Sequence, residues 1–319
     1  MNGSRSGIET TMLRRALNSG PSTTTDVAGG TLRAWWLAAR PKTLSIAVIP
    51  VLVGSSIAWA ETGRMVWGAF WGALIAAVLI QIGTNLHNDA ADFERGADGT
   101  DRLGPPRATA QGWLTPRQVH RGAYLSFAAA FLLGIYLVSL GGWPIVILGL
   151  SSLAAGYAYT GGPRPIAYTA LGELFAFIFF GLAAVGGSYY LQTLTLGANA
   201  LVAGAALGMF AAAVLVVNNY RDMDTDQRAA KLTLPVFIGR PATRLLYAAL
   251  VTVPFIAPAA FHGIRPSAIW LPWLAFPLSL YLLRRFQRER PGPAFNRILA
   301  QTAQLQLVFG SLLVLGIVV

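Results

Sequence analysis

Residues 85–107 read NLHNDAADFERGADGTDRLGPPR, and they follow the uncharged run WGALIAAVLIQIG at 71–83. Asp89, Asp92, Glu94, Asp98 and Asp101 therefore gather at the end of an apolar helix. Asn85, Asn88, Asp89 and Asp92 recur at helical spacing, which places them on one side of that helix. A second stretch, VVNNYRDMDTDQRAAKLTLPVFIGR at 216–240, repeats the arrangement. There Asn219, Asp222 and Asp226 share a face and Asp224 points elsewhere. Eight of the thirteen acidic residues lie in these two stretches. The pairing suggests a duplicated four-helix unit, although little else in the two halves matches.

The surroundings of both stretches decide the fold class. The chain has 319 residues, 55% of them hydrophobic and 12% charged, about half the charged fraction of a soluble domain. Apolar segments near 44–60, 65–87, 122–140, 143–160, 168–191, 196–218, 245–261, 268–283 and 298–319 predict an all-α polytopic membrane protein with nine transmembrane helices around a central cavity. The eighth segment is interrupted by Pro272 and Pro277. With the N-terminus inside, 22 of the 24 Lys and Arg fall in inside segments, and only Arg64 and Arg265 fall outside. That asymmetry is the positive-inside rule of membrane topology. It accounts for the net charge of +11 without nucleic acid as a partner. Both acidic stretches are then cytoplasmic, and the cell membrane is the expected location. Residues 1–32 read as a disordered cytoplasmic tail without the apolar core of a signal peptide, and residues 33–319 as the membrane domain. With no cysteine there is no disulfide, thiolate metal site or cysteine nucleophile.

Carboxylates this close repel one another, and more so beside a bilayer. Hard divalent cations relieve such repulsion through oxygen ligands. Mg²⁺ typically takes one or two protein carboxylates and completes its shell with water and substrate phosphate. Asp89, Asp92, Asp222 and Asp226 are thus the expected Mg²⁺ ligands, with Asn85, Asn88 and Asn219 beside them; the alternative is a solvated acidic loop. Arg102 and Arg107 follow the first face, and Arg228 and Lys231 follow the second. Each is either a topological charge or a partner for a departing diphosphate. Gly96, Gly99, Gly104, Pro105 and Pro106 shape the first loop as a non-helical connection.

These motifs resemble the two aspartate-rich motifs of the intramembrane aromatic prenyltransferases. The likeness is greatest to the branch that transfers a polyprenyl chain to 1,4-dihydroxy-2-naphthoate in menaquinone synthesis. ARPKTLSIAVIPVLVG at 39–54 and LGELFAFIFFG at 171–181 are also similar to that branch, and the resemblance spans about residues 33–319. It implies nine membrane helices, Mg²⁺ dependence, and transfer of an isoprenoid chain from its diphosphate to an aromatic acid that loses CO₂, giving demethylmenaquinol. Two positions depart from the wider family: Gly96 stands where a further Asp is common, and Ala230 where a Gly commonly precedes the Lys.

Other residues admit two roles. Arg40 and Lys42 are candidates for the acceptor carboxylate or the diphosphate, or are snorkelling anchors. Glu173, the sole acid within its span, orients a ring hydroxyl or pairs with a basic residue. Tyr157, Tyr159 and Tyr168 line a site or belong to an interfacial belt. His87 lies off the Asp face and reads as packing. Gly172, Gly181, Gly186, Gly187, Gly204 and Gly208 either leave room for a prenyl tail or bring helices together. A cation-coupled transporter would hold its acids mid-membrane in broken helices, whereas these lie at helix ends. A sibling enzyme acting on 4-hydroxybenzoate, haem or a chlorophyllide is set apart by the loop GADGTDRLGPPR, on resemblance alone.

Overall fold

The computed structural model describes residues 29–96 and 103–319. The expected tail, up to residue 28, and Asp98, Asp101 and Arg102 lie outside the described residues. Short α1 (Leu32–Ala38) is capped by Thr31, whose hydroxyl accepts from the Ala34 N–H. α2 (Pro41–Thr62) starts on Pro41, with its missing N–H at a position where none is needed. α3 (Trp67–Glu94) carries the first acidic stretch in its last two turns. α4 (Pro116–Gly141) begins with a Thr115–Gln118 capping box, and α5 (Trp143–Ala158) follows after Gly142. α6 (Gly172–Thr193) contains a π-helical turn over Ile178–Ala183. α7 (Ala198–Arg228) has 31 residues and ends in the second acidic stretch. α8 (Leu234–Thr252) kinks at Gly239, φ 78°, ahead of Pro241. α9 (Phe276–Arg288) and α10 (Phe295–Val318) complete the bundle.

Among the described residues every element is helical, and seven helices are long and apolar enough to cross a membrane. The expected count of nine is not reached by that measure, for two physical reasons. The fourth expected span is the 16-residue α5, shorter than a bilayer needs. The eighth breaks into a short helix at Ser267–Trp270, a 3₁₀ stretch at Leu271–Ala275 and then α9. Pro272 and Pro277 remove the N–H groups that would join these pieces.

α7 is the axis of the packing. Phe210, on α7, lies among Phe255 and Phe309 at 6.0 and 5.0 Å between ring centroids. Nearer the acidic end of α7, Tyr220 meets Phe286 and Phe295, and Phe286 stacks on Tyr247 at 4.0 Å. Gly181, Gly204 and Gly208 join α6 to α7: a Cβ on Gly181 would stand 2.4 Å from the Gly204 carbonyl oxygen. These three are contact glycines, so tight that no tail passes between them. Gly187 instead lines the central cavity.

Candidate active site

A cavity of about 1170 Å³ runs from the ends of α3 and α7 into the bundle. Its inner wall is apolar, built by Ile80, Leu148, Phe175, Phe179 and Phe180 among others. Phe131, Ile135 and Leu150 line it as well while being 48, 56 and 52% exposed. The cavity is therefore open sideways, where bilayer lipid would lie. At the other end the lining turns polar, with Arg40, Lys42, Asn85, Asn88, Asp92, Arg107, Asn218, Asn219, Asp222, Asp226 and Lys231.

The first acidic face divides. Asn85, Asn88 and Asp92 line the cavity and Asp89 does not. Asp89 is 1% exposed, and its carboxylate accepts from the backbone N–H groups of Ala108 and Thr109 at 2.9 and 3.0 Å and from the Thr109 hydroxyl. It latches the loop after α3 rather than facing the expected metal site. Helix geometry gives the reason. At about 100° per residue, positions 85, 88, 89 and 92 spread over about 100°, with Asp89 at one edge about 60° from Asp92. Asn219, Asp222 and Asp226 spread over only about 60°, and all three reach the cavity. Asp224 points out, pairing with Arg240 at 2.8 Å on the surface.

Each cavity carboxylate is matched by a cation. Arg107 pairs with Asp92 at 2.7 Å and donates to the Asn88 amide oxygen at 3.1 Å. Arg221 grips both oxygens of Asp222, at 2.8 and 2.5 Å. Lys231 lies 3.6 Å from Asp226 and 4.9 Å from the centre of the Tyr168 ring. Arg107–Asp92 is buried on both sides, and breaking a buried pair costs roughly 3–5 kcal/mol. Asp92 is 4% exposed, and its second oxygen, Oδ1, has no hydrogen-bond partner in the described structure.

The remaining expected residues sort plainly. Asn85 donates to the Ala39 carbonyl at 2.9 Å, holding the α1–α2 junction where Arg40 adopts the left-handed φ of 55°. Lys42 is exposed at the cavity mouth. Arg228 is exposed in the last turn of α7 and does not line the cavity. Glu173 is buried behind the wall: it accepts from the Asn219 amide at 2.8 Å, and its other oxygen has no hydrogen-bond partner among the described residues. That places it against Asn219 and not against a basic residue or the cavity itself. His87 stacks on Tyr157 at 4.7 Å, outside the cavity, as packing. Tyr159 lines the cavity and Tyr168 sits beneath Lys231.

Sequence reasoning passed over Arg221, Asn218 and Asn296. Arg221 counts equally well as a topological charge, and only its burial shows otherwise. Asn296 lies 70 positions beyond Asp226, so no spacing links it to the acidic stretches.

Among the described residues no three Asp, Glu or His side chains come together as a self-sufficient metal site. The donors at the polar end nevertheless suit Mg²⁺, which needs few protein ligands when phosphate supplies the rest. The buried and unsatisfied Oδ1 of Asp92 is the atom that most needs a cation.

Residues 47–306 match the UbiA prenyltransferase family. The chain belongs to that family. It is a prenyltransferase and a multi-pass membrane protein. It is 36% identical to "1,4-dihydroxy-2-naphthoate octaprenyltransferase" of Mycobacterium tuberculosis, covering 86% of this chain and 93% of that protein. The protein of the same name from Haemophilus influenzae is 31% identical, over 90% of this chain and 96% of the relative. A UbiA homologue from Archaeoglobus fulgidus, solved with GPP and Mg²⁺ bound, has the same fold, with a TM-score of 0.65 at 16% identity over 90% of this chain and 100% of that one.

Proposed function

We propose that this UbiA-family enzyme transfers a polyprenyl chain from polyprenyl diphosphate to 1,4-dihydroxy-2-naphthoate, releasing diphosphate and CO₂, at the cytoplasmic face of the plasma membrane. One observation carries the reading: a single cavity joins a carboxylate-and-cation end to an apolar channel open sideways. That shape fits a molecule that is a diphosphate at one end and a lipid at the other. The relatives named for the naphthoate reaction supply the acceptor.

Asp92, Asp222 and Asp226, with Asn88, are the residues that would hold Mg²⁺. Bound there, Mg²⁺ supplies the positive charge that neutralises a diphosphate leaving group. Arg107 and Lys231 add fixed cations at the same end, where negative charge grows as the allylic C–O bond breaks. The apolar wall, to which Phe175, Phe179 and Phe180 contribute, keeps water from the carbocation. The acceptor ring attacks the allylic carbon, and its carboxylate leaves as CO₂, whose bonding electrons restore aromaticity. No strong protein base is required. Arg40 and Lys42 would receive the acidic ring, with Asn219, braced by Glu173, as a further polar group of the cavity lining.

The test supplies purified protein with Mg²⁺, labelled prenyl diphosphate and either carboxyl-labelled naphthoate or 4-hydroxybenzoate. Labelled CO₂ released in step with a lipophilic naphthoquinol is the expected result. Prenylated 4-hydroxybenzoate that retains its carboxylate, with no naphthoate product, reassigns the acceptor. Orientation is read separately: fusions at Ser4 and Val319 are expected to report opposite sides, and two cytoplasmic signals contradict the topology.

A further inference from the structure

Asn296 occupies the first turn of α10, far in sequence from either acidic stretch, yet its amide lines the cavity. Its Oδ1 accepts from Arg221 Nη1 at 2.6 Å, and its Nδ2 donates to the carbonyl of Leu103 at 2.8 Å. Arg221 is the residue that grips both oxygens of Asp222, and it also donates to Asn218 at 3.0 Å. Leu103 begins the segment that delivers Arg107 to Asp92 and Asn88. The Asn296 amide is thus the joint of a continuous polar rim running Asp222, Arg221, Asn296, Leu103, Arg107, Asp92.

We infer that Asn296 is a positioning residue that keeps the two halves of the diphosphate end in register. Two chemical requirements single out an amide. The Arg221 guanidinium offers only donors, so its partner must accept; the Leu103 carbonyl only accepts, so its partner must donate. An amide meets both at once. An aspartate meets the first and sets a lone pair against the Leu103 carbonyl; leucine meets neither. Neither α3 nor α7 carries a side chain that makes this link among the described hydrogen bonds, so a helix from the far end of the chain sets the spacing between them. Among the described hydrogen bonds Asn296 reaches the carboxylates through Arg221 and through the Leu103 segment that carries Arg107, so its contribution falls on how well the two halves engage one diphosphate and its cations. The aromatic acceptor is not involved.

The inference rests on the prenyl-transfer reading, and its test separates the two. Asn296→Asp and Asn296→Leu are compared with wild type in Mg²⁺ titrations and in steady-state kinetics. Hydrogen exchange over residues 103–110 is followed in parallel. For Asn296→Leu the Mg²⁺ half-saturation and the KM for prenyl diphosphate are expected to rise about tenfold, with the KM for the aromatic acid unchanged. Exchange over 103–110 quickens in both variants. Asn296→Asp, which keeps the Arg221 contact, falls between Leu and wild type. An unchanged Mg²⁺ response and unchanged exchange overturn the inference; so does a rise in both KM values together, or a loss of thermal stability alone with the kinetic constants intact. If wild type itself shows no Mg²⁺-dependent prenyl transfer, the functional reading fails, and hydrogen exchange still decides whether Asn296 ties the loop.

Discussion

The ends of α3 and α7 carry nearly the same residues and use them differently. On α7 all three members of the motif, Asn219, Asp222 and Asp226, face the cavity, and one cation, Arg221, comes from the same helix. On α3 the cation, Arg107, arrives from the loop beyond the helix, and one acid, Asp89, is diverted to hold that loop in place. An acidic residue can thus serve a site in two ways, by entering it or by fixing the backbone that brings its partner. The difference follows from angle: a set spread over about 60° fits one cavity wall, while a set spread over about 100° does not.

The largest expected effects break the cavity carboxylates. Asp92→Ala and Asp222→Ala should each lower kcat by roughly 10²–10³-fold, the scale of losing a preorganised charge at the reacting group. Turnover is expressed per folded molecule, with the folded fraction taken from thermal melting, because Asp92→Ala also leaves Arg107 without its buried partner. Asp89→Ala should act differently. Two buried N–H groups lose their acceptor, for a stability loss of about 1–3 kcal/mol each; the melting temperature falls, while turnover per folded molecule drops less than for Asp92→Ala. A full loss of turnover at unchanged stability would show that Asp89 belongs to the site after all. Smaller again is Glu173→Gln, which replaces the carboxyl oxygen that accepts from Asn219 with an amide oxygen and should weaken that hold by no more than about 1 kcal/mol. The change should be read in the KM of the aromatic acid rather than of the diphosphate. Asp224→Ala, on the surface beside Arg240, should cost no more than about 1 kcal/mol and leave kinetics as they were.

Much of this was legible in the sequence. Apolar runs and the asymmetry of Arg and Lys point to the helical membrane class, because burying or exposing charge in lipid costs enough to pattern a whole chain. The helical spacing of Asn88 with Asp92 and of Asn219, Asp222 and Asp226 gave most of the polar end. Three things were not legible. Spacing within about 100° cannot tell a residue facing the cavity from one facing its own loop, which is how Asp89 came to be grouped with Asp92. Topological arginines and buried ones look alike until packing is known, so Arg221 stood with the surface charges. Contacts between distant segments leave no local pattern, and Asn296 was invisible for that reason. The broken helix before α9 shows the same limit at the level of the fold: its prolines were visible, and what they did to the span was not.

The central claim is that the two helix ends form one site for one diphosphate, with Asp89 outside it. Mg²⁺-dependent binding of an unreactive prenyl thiodiphosphate tests this most directly, measured for wild type, Asp89→Ala, Asp92→Ala, Asp222→Ala and the Asp92→Ala/Asp222→Ala double variant. Residues acting as a unit give non-additive losses. The account predicts that either cavity substitution removes most of the Mg²⁺-dependent binding, that the double variant is little worse than either single one, and that folded Asp89→Ala still binds. Losses at Asp92 and Asp222 that simply add, or an Asp89→Ala protein of wild-type stability that no longer binds, would contradict it.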